Sequence, residues 1–235
     1  MCFDNKVDYY DLAGLLDFVS NDIYPAGHWQ KQPHQPESEL AACHDVIRGY
    51  KKNKTQSPTH YSTLQSYHIF VVTISGRIVY KRCTYTNHYV NCQAHCLEQQ
   101  SGMAGWEIMG RALEPGQMSA WAMQSVAHGA DTVVFFRWRT CAMGTEQFWH
   151  GILGHSGKPG RIYKEAKKLT QTFTKYMEDF EGSMPSPEVA IVHSFRQNYA
   201  LDIQPNHPQL RYVEQLQTFS VIISHHFSIA YSFFP

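Results

Sequence analysis

Repeating strand–loop–helix units, an α/β fold, are what the sequence predicts, on three observations. Asp17 to Ser20 has the pattern of a short buried strand, which passes through the turn Tyr24-Pro25-Ala26-Gly27 into a helical pattern from Glu37 to Lys52. After residue 98 the alternation returns, as helix-like Met118 to His128 leads into the apolar run Thr132 to Phe136. Gly182, with Pro185 and Pro187 beyond it, then stops a long helix and opens a linker, after which a fresh strand and helix begin.

Each element has a local reason. Asp8 to Leu16 is a short amphipathic helix, and Leu40, Ala41, Val46 and Ile47 recur at helical spacing in the one that follows. Ile69 to Ile74 and Arg77 to Tyr80 flank Ser75-Gly76, the signature of a hairpin with a tight turn. Around that hairpin the chain is polar, and Val90 to Leu97 is poor strand material, so no β/α unit is expected over residues 53–96. Thr145 to Leu153 is expected as a short helix and Arg161 to Phe180 as a long charged one. Val189 to Val192 is a buried strand, and Leu210 to Phe219 a helix. No internal repeat is found. The expected division is a first domain over residues 1–182, with 53–96 inserted in it, and a second from residue 188 to 235.

Composition narrows the class of function. Lys plus Arg and Asp plus Glu number 20 each, so neither nucleic acid nor an anionic membrane is an expected partner. The hydrophobic fraction of 43% is enough for a sizeable core. Aromatic residues reach 14%, with 5 Trp and 14 Tyr, which suits stacking on sugar C–H faces and equally a dense core. No basic segment followed by an apolar one opens the sequence, and Phe219 to Phe234 is broken by Ser224, His225 and His226. A cytoplasmic location with free thiols is therefore expected.

Three stretches carry the chemistry. They are Leu16 to Pro25, Leu97 to Gly102 with Trp106 after it, and the run from Pro115 through Phe135-Phe136-Arg137-Trp138-Arg139 to Glu146. Each puts carboxylates and aromatics just past a strand end, the rim where parallel barrels build active sites. A strand-end Glu beside Trp and Tyr is what glycoside hydrolysis needs, one carboxylate attacking the anomeric carbon while rings hold the sugar. Cys83, Cys92, His95 and Cys96 do not have the spacing of a standard zinc site, and neither metal nor cofactor is expected.

These stretches resemble glycoside hydrolase family 42, the β-galactosidases. The resemblance rests on Ala-His-Gly-Ala-Asp at 127–131, Phe-Arg-Trp-Arg at 136–139, and the spacing of Glu98, Trp106 and Glu146. It runs through residues 3–52 and 97–218, and implies the later units of a (β/α)8 TIM barrel followed by the start of a flavodoxin/glutamine-amidotransferase-like α/β domain. By the same resemblance Glu98 is the nucleophile after strand seven, and Trp106, Glu146, Asp22 and Tyr24 border the sugar. The family has a sugar-contacting His three residues after the Glu146 position; here Trp149 stands there, and His150 next to it is the candidate. The implied substrate is a terminal β-D-galactoside, and the full-length family member is expected to be a homotrimer. An arabinosidase-type specificity stays open.

Two departures qualify what the resemblance implies. The family's acid/base is the Glu of an Asn-Glu pair after strand four, and no Asn-Glu pair occurs in this sequence. Residues 53–96 and 219–235 read as foreign to the family, as an intervening or misassembled stretch of a gene would when translated. Inactivity of this chain is the resulting expectation, with a non-catalytic sugar-binding or oligomerisation module as the alternative.

Overall fold

A computed structural model describes residues 7–15, 19–26, 37–50, 70–72, 78–80, 94–105, 109–130, 132–180, 186–223 and 231–234. Its centre is a three-stranded parallel sheet in the order β1-β4-β5, formed by β1 (Val19–Ile23), β4 (Ala94–Gln100) and β5 (Thr132–Phe136). A helix follows each strand: α2 (Glu37–Tyr50), α3 (Gln117–Ala127) and α4 (Arg161–Phe180). The short α1 (Tyr9–Ala13) precedes β1, and the Asp8 side chain starts it by accepting from the Tyr10 backbone N–H at 3.0 Å. Between α2 and β4, β2 (Phe70–Val72) pairs antiparallel with β3 (Ile78–Tyr80), as the arms of the expected hairpin would; its turn Ser75-Gly76 lies outside the described residues.

Two expectations fail in this region. Ala94 to Leu97, read as poor strand material, are the first half of β4; Ala94 pairs with β1, and His95 and Cys96 pair with both β1 and β5. Tertiary pairing on two sides overrides a weak local preference there. Residues 145–153 are not a helix. Turns closed by Gln147 N–H to Gly144 O and Trp149 N–H to Glu146 O give way to a stretch laid against residues 137–140. Leu153 donates to Trp138 O at 2.8 Å, and Thr140 donates back to Leu153 O at 2.9 Å. Their pull on 150–153 outweighs the helical spacing of the apolar residues.

Helices cover the sheet because their apolar stripes need burial. Met118, Trp121 and Ala122 of α3 and Ala166 and Leu169 of α4 are buried, each set spaced over about one helical turn. Met118, Trp121 and Ala166 share a core with Ile23, Leu40, Leu113 and Ile152, against which Val133 and Phe135 pack. Glu165 ties the two helices together by accepting from the Ser119 backbone N–H and hydroxyl, each at 3.2 Å.

Beyond the linker, β6 (Val189–Val192) is followed by α5 (Phe195–Ile203), α6 (Tyr212–Val221) and β7 (Tyr231–Phe234), and β6 and β7 pair in parallel. The tail that reads as foreign thus supplies a strand. α5 went unforeseen because its pattern is weak; Ser194 caps it by accepting from Gln197 N–H. Phe195, Ile191 and Leu216 share a core with Val46, Ile47 and Tyr50 of α2. Cys43 is joined in a disulfide, against the expectation of free thiols, whereas Cys141 is free. Among the described residues no helix is long and apolar enough to cross a membrane.

Candidate active site

The register of the sheet assembles the site. Asp22 near the end of β1 lies beside Glu98 of β4, and Gln100 at the end of β4 lies beside Phe136 at the end of β5. Three parallel strands therefore deliver their C-terminal ends, and the side chains carried there, to one edge. Irregularities in register after Asn21 and between Cys96 and Gln99 fall next to these residues, the usual place for a bulge that re-aims a side chain.

Polar bonds fix the loops that leave that edge. Gln100 accepts from the Ala26 backbone N–H at 3.2 Å and donates to Gly102 O at 2.9 Å, joining the loops after β1 and β4. The Ser101 hydroxyl donates to Phe136 O at 2.7 Å, joining the loops after β4 and β5. Gln99, Gln100 and Ser101 are all fully buried, so these bonds are shielded from water. Gly102 permits the close approach of the next loop, since a Cβ there would stand 2.4 Å from His150 O. These supporting residues lie within the stretch Leu97 to Gly102 already singled out, where no role attached to any of them individually.

Glu98 is half-buried and accepts a hydrogen bond from the Tyr24 hydroxyl. Burial pushes its carboxyl above the ordinary value, the Tyr24 bond pulls it down, and the charges of Asp22 and Glu146 push it up again. Tyr24 holds its proton firmly, through burial first and then its bond to Glu98 and the surrounding carboxylates. Its ring meets Trp149 edge-on at 4.7 Å, and Trp149 meets Phe136 edge-on at 5.8 Å. Tyr24 and Trp149 are buried with Ala104 in one cluster against which Phe136 packs. Glu146 stands on the loop after β5, where its Oε2 accepts from Arg137 Nη1 at 2.9 Å.

The structure thus gathers three other sequence-predicted residues, Asp22, Tyr24 and Glu146, about the Glu98 carboxylate. His150 follows Trp149 on the loop after β5. It lines a recess of about 210 Å³ with Gly102, Leu113, Ile152 and Arg161, whose walls include neither Glu98 nor Glu146. Burial and then the neighbouring His155 hold its ring below the ordinary histidine range. Trp106 lies outside the described residues. Trp138 is 40% exposed and meets Tyr163 of α4 edge-on. No metal-binding group of three or more His, Cys, Asp or Glu occurs among the described residues. The side chains of Cys83, Cys92, His95 and Cys96 lie outside them.

Chemically the site offers a partly desolvated carboxylate, oriented by a phenol and flanked by two further acids and a wall of rings. That combination suits attack on, and binding of, a neutral polyhydroxylated ligand.

The sequence profile of glycoside hydrolase family 42, described as β-galactosidase, matches residues 80–176. The match takes in residues 80–96, part of the stretch that reads as foreign on composition. Among curated proteins, β-galactosidase BgaA of Clostridium cellulovorans is 32% identical over 92% of this chain and 27% of its own length. β-Galactosidase BgaH of Haloferax lucentense is 30% identical over 91% of this chain and 27% of its own length. The chain therefore spans about a quarter of the length of these relatives. Among solved structures, the β-galactosidase of Bacillus circulans sp. alkalophilus superposes with a TM-score of 0.71 at 23% identity. It covers 99% of this chain, which spans 28% of it. The β-galactosidase of Marinomonas ef1 gives 0.72 at 21% identity, over 99% of this chain and 32% of its own. At those identities the superpositions speak for a shared fold.

Proposed function

We propose, for a chain that is a partial segment of the glycoside hydrolase family 42 β-galactosidases, that it carries the nucleophile side of a retaining β-galactosidase site. Glu98 is the nucleophile, and Asp22, Tyr24 and Glu146 bind or orient the sugar. The supporting observation is the convergence of these four residues at the C-terminal edge of three parallel strands. The three strands with their helices read as consecutive units of a (β/α)8 barrel, whose active sites occupy that edge. The pair β6 and β7 with α5 and α6 reads as the opening of the family's second domain, with its homotrimeric assembly. Residues 1–182 and 188–235 divide the chain on that reading.

In retaining hydrolysis the nucleophile displaces the leaving group to form a covalent glycosyl-enzyme, while an acid about 5–5.5 Å away protonates the departing oxygen. The same group, now a base, activates water for the second displacement. Tyr24 donating to Glu98 holds one lone pair of the carboxylate and leaves the other oxygen for the anomeric carbon. Trp149 and Phe136 form the apolar wall beside it. Trp106 is assigned to the same sugar site, and His150 to its margin. The sequence contains no Asn-Glu pair, so the partner acid/base is assigned to none of its residues.

A non-hydrolysable galactoside tests binding without requiring turnover. Titrating isopropyl β-D-thiogalactoside into the chain carrying ¹³C-labelled Glu should move the carboxyl resonances of Glu98 and Glu146, each identified by its loss in Glu98→Gln or Glu146→Gln. Resonances of both that stay still at saturating sugar would overturn the proposal.

A further inference from the structure

We infer that Arg137 is a positioning residue of the sugar site, clamping Glu146 in the orientation that receives sugar hydroxyls. The inference rests on the reading of Glu146 as a galactoside-binding carboxylate and extends it to what holds that carboxylate in place.

Glu146 needs holding. It sits on a loop of turns, with a side chain 43% exposed, and a carboxylate so placed samples many rotamers. Arg137, at the end of β5, is 23% exposed and contacts its neighbours at three points. Nη1 donates to Glu146 Oε2 at 2.9 Å, and Nη2 donates to Cys141 Sγ at 2.8 Å. The guanidinium carbon lies 4.9 Å from the centre of the Phe136 ring. Its backbone is pinned as well, since Arg137 O accepts from Ile152 N–H at 2.8 Å. A planar fork held on a ring face and by a thiol has one direction left for its remaining arm, and that arm ends on Glu146. Among the described residues Glu146 Oε1 takes no hydrogen bond, so the carboxylate is anchored through one oxygen and open through the other. That is the arrangement a hydroxyl-binding acid requires, with its geometry set by a second layer of contacts.

The clamp also places a charge. Glu146 is one of the groups acting on Glu98, together with Asp22 and Tyr24 from the β1 side. Arg137 and Cys141 face Glu146 from the β5 side. Arg137 thereby balances a negative charge that would otherwise bear fully on the nucleophile.

The test uses the full chain with ¹³C-labelled Glu, as wild type, Arg137→Met and Arg137→Lys. Two quantities are read: the titration midpoint of the Glu98 carboxyl, and the affinity for isopropyl β-D-thiogalactoside. Arg137→Met should raise the Glu98 midpoint and weaken sugar binding roughly tenfold or more, as expected for losing a charge-assisted bond. Arg137→Lys keeps the charge without the fork, and should restore the midpoint more fully than the affinity. A purely structural role would move neither midpoint nor rescue in that order. If wild type binds no thiogalactoside, the β-galactoside reading fails, and the Glu98 midpoint still decides the role of Arg137. An unchanged midpoint in Arg137→Met overturns the inference. Should that variant not fold, an Arg137→Lys chain with wild-type midpoint and wild-type affinity overturns it instead.

Discussion

Offered a nitrophenyl β-galactoside, the purified 235-residue chain is expected to release product no faster than its Glu98→Gln variant. Both displacements of retaining hydrolysis use a second carboxyl group, first as acid and then as base, and losing that help costs roughly 10²–10⁴ in rate. The carboxylates beside Glu98 are poorly suited to substitute. Asp22 stands on the neighbouring strand, immediately beside Glu98. Glu146 is held by Arg137. Misplacement of a reacting group by about one ångström can cost roughly another 10². Steady turnover clearly above the Glu98→Gln background would mean that Asp22 or Glu146 has been recruited as the acid/base, and the expectation of inactivity would be wrong.

The second large effect concerns stability. Asp45 of α2 is 3% exposed, and its two oxygens serve different partners. Oδ1 pairs with Arg48 Nη2 at 2.8 Å, and Oδ2 pairs with His128 Nδ1 at 3.0 Å. Arg48, itself 6% exposed, also donates to His128 O at 2.6 Å, so the three residues bind α2 to the end of α3. Beside them His44 is buried and its ring is pushed down to about 3, chiefly by desolvation and then by His128 and Arg48. Ser125 spends its proton on Trp121 O, so its hydroxyl accepts from a neutral His44 Nε2–H. Asp45→Ala removes the carboxylate that balances a buried guanidinium, a change that costs about 3–5 kcal/mol in comparable pairs. Urea denaturation should show the midpoint falling accordingly with little change in slope. A shift below about 0.5 kcal/mol, the range of ordinary surface substitutions, would show that the network carries no such weight.

His128 illustrates how far the sequence could be read. The small residues around it in Ala127-His128-Gly129-Ala130 are those of a close helix–strand junction, and the structure has it at the end of α3, bonded to Asp45. The strand Thr132–Phe136 and the helix Arg161–Phe180 were equally legible, because a continuous apolar run and a long charged helix have strong local signatures. β4 was not. Its residues Ala94, His95 and Cys96 have weak strand preference, and what makes them a strand is pairing with β1 and β5, contacts remote in sequence. The same holds in the candidate site. The stretches that hold Glu98, Asp22, Tyr24 and Glu146 could be singled out from carboxylates and rings past strand ends, and the family resemblance picked out the residues within them. The bonds of Gln100 and Ser101 that lock the loops, and the recess that His150 lines with Gly102 and Arg161, follow from tertiary contacts that local pattern does not encode.

Covalent trapping is the most direct measurement of the central claim, that Glu98 is a glycosidase nucleophile. A 2,4-dinitrophenyl 2-deoxy-2-fluoro-β-D-galactoside carries a leaving group that departs as a stable anion without being protonated. Its first displacement therefore needs the nucleophile and little from an acid. Peptide mass spectrometry after incubation should find one fluorogalactosyl ester, on Glu98, absent from the Glu98→Gln chain. An adduct on Asp22 or Glu146 instead, or no adduct on a chain that binds thiogalactoside, would contradict the account.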